Sequence, residues 1–187
     1  MAILIGDKPD SDFNDPIGIL EDCHRRIEKF LDVLLTLAGQ AQGNKLTNEQ
    51  RAAIEVSLQY FREAAPKHTA DEEESLFPRM RASQHHQAKE ILSQLDHLHT
   101  EHVTAGQNHR GVDELFRRWL ADGFLSAREF VRLTSLLHSL RDTYGRHIKE
   151  EETEVFPNAA RILTTLDLKA IGLEMTTRRG LTRPTES

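Results

Sequence analysis

Apolar side chains recur along this chain at alternating steps of three and four residues, the period of an amphipathic helix. The first stripe is Ile17, Leu20, His24, Ile27, Leu31, Leu34 and Ala38, opened by Asp15 as N-cap with Pro16 at the first helical position and bracketed at its end by Gly39 and Gly43. The second is Ile54, Leu58, Phe61, Ala65, His68, Glu72 and Leu76, entered through Thr47-Asn48-Glu49-Gln50 with capping-box character. Pro66 falls inside it, so a kink or local break is expected just before His68. The third runs Ile91, Leu95, Leu98, His102, Ala105, His109, Val112, Phe116 and Leu120, with Gly106 and Gly111 weakening the case for one unbroken helix. After a turn at Asp122-Gly123, Ser126 and Glu129 cap the fourth: Phe130, Leu133, Leu137, Leu140, Tyr144, His147, Glu151 and Val155. A short fifth helix is expected from Leu166 to Met175, and nothing reads as a strand. Short turns between the long segments predict an all-α, up-down four-helix bundle with a short C-terminal helix. The expected divisions are a mobile arm over residues 1–14, the bundle over 15–165, and a short helix with a mobile polar tail over 166–187.

Composition narrows the class. The chain has 187 residues and a net charge of −6, which argues against nucleic-acid binding driven by charge. The pairs Arg117-Arg118 and Arg178-Arg179 are too small to make a nucleic-acid surface. Its one cysteine, Cys23, excludes an internal disulfide and fits a reducing compartment. The apolar run Ile3-Leu4-Ile5 is too short for a secretory signal, and no stretch approaches membrane-spanning length. A cytoplasmic protein with no membrane partner is expected. There is no nucleotide-binding glycine pattern and no Ser/His/Asp arrangement. The unusual feature is ten histidines.

Two segments repeat. His68, Glu72, Phe77 and Pro78 are matched by His147, Glu151, Phe156 and Pro157, with offsets of 4, 5 and 1 in both. One histidine precedes each on the helix before it: His24 lies 44 residues before His68, and His102 lies 45 before His147. The chain therefore reads as two helix-pair halves whose packing about a pseudo-twofold axis would bring two equivalent sets of side chains to the bundle centre.

His24, His68, Glu72, His102, His147 and Glu151 all fall on apolar stripes. Burying such groups costs several kcal/mol for each charge left uncompensated. A mutual Glu–His salt-bridge network is one answer, and metal ions that engage all six groups are the other. Positions i and i+4 differ by roughly 40° around a helix, so one segment presents an imidazole and a carboxylate to the same ion or ion pair. No Cys₂ or Cys₄ pattern supports a structural zinc site. Mixed imidazole and carboxylate suits iron, manganese or zinc. Two carboxylates serving two ions imply bridging and leave two histidines per ion. With a shared oxo or hydroxo group that makes five ligands, so a position on at least one ion stays open, and iron is the redox-capable choice.

These elements resemble the hemerythrin-like family of HHE cation-binding domains. The resemblance covers about residues 15 to 165 and is carried by His24, by His68-Thr69-Ala70-Asp71-Glu72-Glu73 with Leu76-Phe77-Pro78, by Glu101-His102, and by His147-Ile148-Lys149-Glu150-Glu151-Glu152 with Val155-Phe156-Pro157. It implies a non-haem di-iron centre with His24, His68, His102 and His147 as terminal ligands and Glu72 and Glu151 as bridging carboxylates. The implied ligand is O₂, NO or a peroxide, in sensing or stress response, with any redox or signalling partner a separate chain. The alternative is a di-iron oxidase or peroxidase, or an iron donor in iron–sulfur cluster repair. Oxygen-carrying hemerythrins have a further histidine one turn before the third-helix ligand, where this chain has Leu98. His99 is a candidate substitute, with an outer or solvent-facing place as the other reading.

Asp71 and Glu150 lie three residues after His68 and His147 and are left open as auxiliary groups. Glu73, Glu74 and Glu152 read as a solvated acidic face. His109 lies about 10.5 Å beyond His102 along the helix, too far for the same ion, and reads as an end-of-bundle residue. His85, His86, His97 and His138 lie off the stripes and read as surface. Tyr144 reads as core, or as a hydrogen-bond donor to a bound ligand. Cys23 reads as a free, half-buried thiol.

Overall fold

The computed structural model describes residues 11–85 and 88–181. The expected arm up to residue 10, His86, and the tail beyond residue 181 lie outside them. Helix α1 spans Pro16–Ala41, its first turn held by the Asp15 carboxylate accepting from the Gly18 N–H at 3.0 Å. Helix α2, Asn48–Glu63, starts on the Thr47–Gln50 capping box, and the break expected ahead of His68 falls at Ala64. There follow α3 (Ala65–Ala70), a π-helical turn (Asp71–Leu76) and α4 (Phe77–Ala82). Helix α5 runs unbroken over Ala88–Asp122. Its glycines do not break it: Gly111 lies against the following helix, where a Cβ would stand 2.8 Å from Leu136 Cδ1, whereas one on Gly106 would meet only the end of Arg110. Helix α6 (Ala127–Glu150) opens on the Ser126–Glu129 box and passes into a second π-helical turn (Glu151–Val155), then α7 (Phe156–Ile162). Helix α8 spans Thr165–Arg178, a turn longer than expected, with its own Thr164–Asp167 capping box.

The chain forms the expected up-down bundle, with no strand among the described residues. Nor is any helix among them long and apolar enough to cross a membrane. The apolar core is in two parts. One contains Ile27, Leu34, Ile54, Phe61, Phe116, Trp119 and Leu140, the other Leu20, Leu76, Phe77, Leu95, Leu98, Phe156 and Met175. On α1 the boundary between the parts falls at His24, on α3 and its π turn at His68 and Glu72, on α5 at His102, and at the end of α6 at His147 and Glu151. The six residues thus form a polar layer sandwiched between oily ones, at one level of all four rods.

Helix α8 packs alongside α1 and the first π turn. Arg178 and Arg179 both bond the fully buried carboxylate of Asp71, the latter at 2.6 Å, and Arg79 on α4 makes a two-pronged pair with Glu174 at 2.7 and 3.0 Å. Residues 11–14, expected to belong to a mobile arm, are tied down: the Ser11 N–H donates to Asp22, and the Phe13 carbonyl lies where a Cβ on Gly172 would be.

Candidate metal centre

Both π turns begin at the end of a His-x-x-x-Glu segment, and each is followed by Phe-Pro. Pro78 and Pro157 have no N–H, and their rings clash with the carbonyl four residues back. The helix widens instead. The Phe77 N–H donates to the Glu72 carbonyl and the Phe156 N–H to the Glu151 carbonyl, five residues apart in each case. Such a widened turn resets the side-chain angles at the two glutamates. The repeated Phe-Pro was the available signal for it.

The structure brings all six sequence-predicted residues together in two groups: His24, His68, Glu72 and Glu151, and Glu72, His102, His147 and Glu151. Within each group one donor atom per residue lies within 4.8 Å of the others, and both groups use the same two glutamates. Glu72 turns Oε1 toward His68 Nε2 at 3.3 Å and Oε2 toward His102 Nε2 at 3.3 Å. Glu151 Oε2 stands 3.1 Å from His24 Nε2 and 3.3 Å from His147 Nε2. All six are buried or nearly so; His102, at 8 % side-chain exposure, is the most open.

Does a pair of cations fit? All four carboxylate oxygens of Glu72 and Glu151, with Nε2 of His24, His102 and His147 and Nδ1 of His68, are buried and have no hydrogen-bond partner among the described residues. The salt-bridge network considered above would align N–H groups on these oxygens, and the short contacts here lack that alignment. Leaving eight such atoms unsatisfied would cost about 1–3 kcal/mol each. Seven of the eight, all but His68 Nδ1, face the shared layer, and cations coordinated there remove their cost, so the donor set fits them.

Three imidazoles are held from behind by carboxylates, the pattern that fixes a ligand's tautomer and aim. His24 Nδ1 bonds Glu152 at 2.9 Å, His102 Nδ1 bonds Glu73 at 2.6 Å, and His147 Nδ1 bonds Glu101 at 3.0 Å. Glu73 and Glu152, expected on a solvated face, are therefore part of the centre. The signal was the Glu-Glu doublet repeated at Glu72-Glu73 and Glu151-Glu152. The halves are interlocked: Glu73 of the first holds His102 of the second, and Glu152 of the second holds His24 of the first. Phenylalanines cross in the same way, Phe77 stacking on His102 at 6.3 Å and Phe156 on His24 at 5.5 Å. One element breaks the symmetry. Glu101, just before His102, holds His147; its counterpart just before His24 is Cys23, and His68 has no such support.

Other candidates resolve differently. His99 is exposed and pairs with Glu73 at 3.0 Å, outside both groups, so it is no fifth ligand. Leu98 lies in the apolar core. Asp71 is committed to Arg178 and Arg179, and Glu150 belongs to neither group. Cys23 is a free thiol, buried rather than half-buried, and burial pushes its pKa up. His85, His97 and His138 are on the surface, with His97 3.6 Å from Glu101 and His138 bonded to Arg141. His109 is not an end-of-bundle residue: its Nε2 lies 2.8 Å from the Tyr144 hydroxyl and its ring stacks on Phe61 at 4.4 Å. Burial holds His109 down at about 4, hence uncharged at neutral pH, and pushes Tyr144 up.

The layer's electrostatics carry a pH prediction. Burial alone would lower His24 and His102, but carboxylates outweigh it: Glu151 raises His24 to about 9, and Glu72 with Glu73 raises His102 to about 10. Burial and the neighbouring Glu151 push Glu72 up, while His147 and His24 overcome burial to hold Glu151 down. His68, with burial and His24 acting together, stays neutral. Without an ion, His24 and His102 therefore carry protons below pH 9, which an ion must displace. Metal affinity is expected to fall on acidification between pH 8 and pH 6, by about tenfold per pH unit for each proton displaced. Zinc added in unbuffered solution with an indicator dye should release at least those two protons; release of none refutes this ordering of charges.

A four-helix bundle with two His₂Glu₂ groups sharing their carboxylates defines a bundle-type cation-binding protein. The family model described as the hemerythrin HHE cation binding domain matches residues 15–159, and the chain belongs to that family. A Haemophilus influenzae protein described as uncharacterized is similar to it, 26% identical over 167 residues that cover 89% of this chain and 91% of its own.

Proposed function

We propose that this protein holds two iron ions and binds O₂, NO or a peroxide at that centre, in sensing or stress response. His24 and His68 would hold one ion and His102 and His147 the other, with Glu72 and Glu151 available to both. The observation that carries this reading is the sharing of both glutamates by the two histidine pairs, with all four carboxylate oxygens and Nε2 of His24, His102 and His147 unpartnered among the described residues. Bound iron would supply electron exchange and open coordination positions.

The chain's own residues do the rest. Glu73, Glu101 and Glu152 orient the imidazoles, so little reorganisation accompanies a change of charge at the centre. Apolar layers above and below exclude water, which protects a reactive bound ligand from side reactions. The Tyr144 hydroxyl, considered above as a donor to that ligand, is hydrogen-bonded to His109 at 2.8 Å.

Metal analysis and optical spectroscopy test this. Two irons per chain, charge-transfer bands in the aerobically purified protein, and a stable NO adduct after reduction are the expected results. Loading with two zinc ions and no redox response would refute it. Catalytic consumption of peroxide or a reductant, in place of a stable adduct, would move the assignment to the oxidase or peroxidase alternative.

A further inference from the structure

Beside the metal layer, a half-open groove of about 670 Å³ runs between α2, α3 and α5, and His102 stands in its wall. This lies within the range of small-molecule sites, about 300–1,000 Å³. Its walls are apolar, with Leu58, Phe61, Ala65 and Ala105 among them. The polar side chains of His109 and Tyr144 are satisfied by each other there. Gly106 keeps the groove open, since nothing but the tip of Arg110 comes within 4 Å of a Cβ built on it.

The charges at the mouth differ from those of the molecule. The whole chain is at −6, yet the groove is bordered by Arg62, Arg110 and Arg117 against Asp113 and Glu114. Both acids are already engaged, Asp113 by Arg62 and Arg117, and Glu114 by Arg118. Arg110 has no ion pair among the described residues. From Arg110 to His102 is eight residues of one helix face, about 12 Å.

We infer that this groove binds an apolar molecule bearing a carboxylate, with the carboxylate on Arg110 and the apolar body laid along α5 toward His102. In bringing that molecule up to an iron centre the inference rests on the function proposed above; in its binding chemistry it does not. Oily walls with one uncommitted cation at the mouth favour such an amphiphile over a sugar or a nucleotide, either of which would leave polar groups unpaired against Leu58 and Phe61.

The test uses the full-length, metal-loaded chain with anilinonaphthalene sulfonate as a fluorescent occupant, displaced by decanoate or by decanol. Decanoate is expected to displace the dye at roughly fivefold lower concentration than decanol, the modest gain of an exposed ion pair. Arg110→Gln should remove that advantage and leave decanol unchanged. Gly106→Leu, a substitution favourable to a helix, should abolish dye binding at unaltered helical content. Equal potency of the two compounds, a decanoate advantage that survives Arg110→Gln, absent dye binding, or dye binding retained in Gly106→Leu would each overturn the assignment. Metal content is measured on the same samples. A chain without iron that still prefers decanoate refutes the iron reading alone, and an iron-loaded chain with no preference refutes the groove alone.

Discussion

Replacing Glu72 and Glu151 together by glutamine is expected to leave the helices in place and to reduce bound metal from two ions per chain to essentially none. Glutamine keeps the volume and the polar atoms but not the charge, and it offers no bridge between the two histidine pairs. The stability consequence depends on whether metal is present. Without metal, Glu72 and Glu151 are the counter-charges of the protonated His24 and His102, and removing one side of a buried ion pair is destabilising. The metal-free variant should therefore melt below the metal-free parent at neutral pH. With metal at about a hundredfold excess over its dissociation constant, binding adds about 2.7 kcal/mol to the parent. At about 2–4 °C per kcal/mol for a chain of this size, the parent should gain roughly 5–10 °C and the variant nothing. Calorimetry with and without a chelator, beside metal analysis, checks both halves. A variant that keeps its iron, or a parent whose melting ignores the chelator, would remove the basis for calling these glutamates ligands.

The bundle itself was legible because its periodic stripes and caps are local features. Asp15, Thr47, Ser126 and the stripes they introduce needed only the residues beside them. The six central residues were legible for another reason: ionisable groups in apolar stripes are costly, and here they come as a repeat. What went unread depended on the packing of one half against the other. Glu73 and Glu152 look solvated from their own helices, and only the crossing of the halves puts them behind His102 and His24. Asp71 stayed open as an auxiliary group until α8 brought Arg178 and Arg179 onto it. The π turns were unread because an i, i+4 pair looks the same in a regular helix. His109 was misplaced because α5 was read without its neighbours: Tyr144 and Phe61, which account for its burial, come from two other helices.

Crossing also explains why the repeat keeps Phe-Pro. Proline forces the widened turn that sets its own glutamate, and the phenylalanine packs the histidine of the opposite half. Each half therefore completes the other's site, so that two imperfect copies make one centre that neither half holds alone.

The break in this symmetry leads to the second large effect. His102 and His147 are both held from behind, by Glu73 and Glu101, whereas of His24 and His68 only His24 is, by the more exposed Glu152. Losing such a support typically costs 10–100-fold in metal affinity. The ion at His24 and His68 should therefore leave first under a chelator, with the ion at His102 and His147 following in a separate, slower step. Glu101→Gln should weaken the second step by about 100-fold, because Glu101 is the most buried of the three and water replaces it poorly. Glu73→Gln should fall between, and Glu152→Gln near the lower end, about tenfold, since solvent reaches it. In Glu101→Gln the two steps should merge. Stopped-flow chelator competition on the parent and the three variants resolves this: one step in the parent, or equal losses in all three variants, would mean that the outer carboxylates do not rank the two positions.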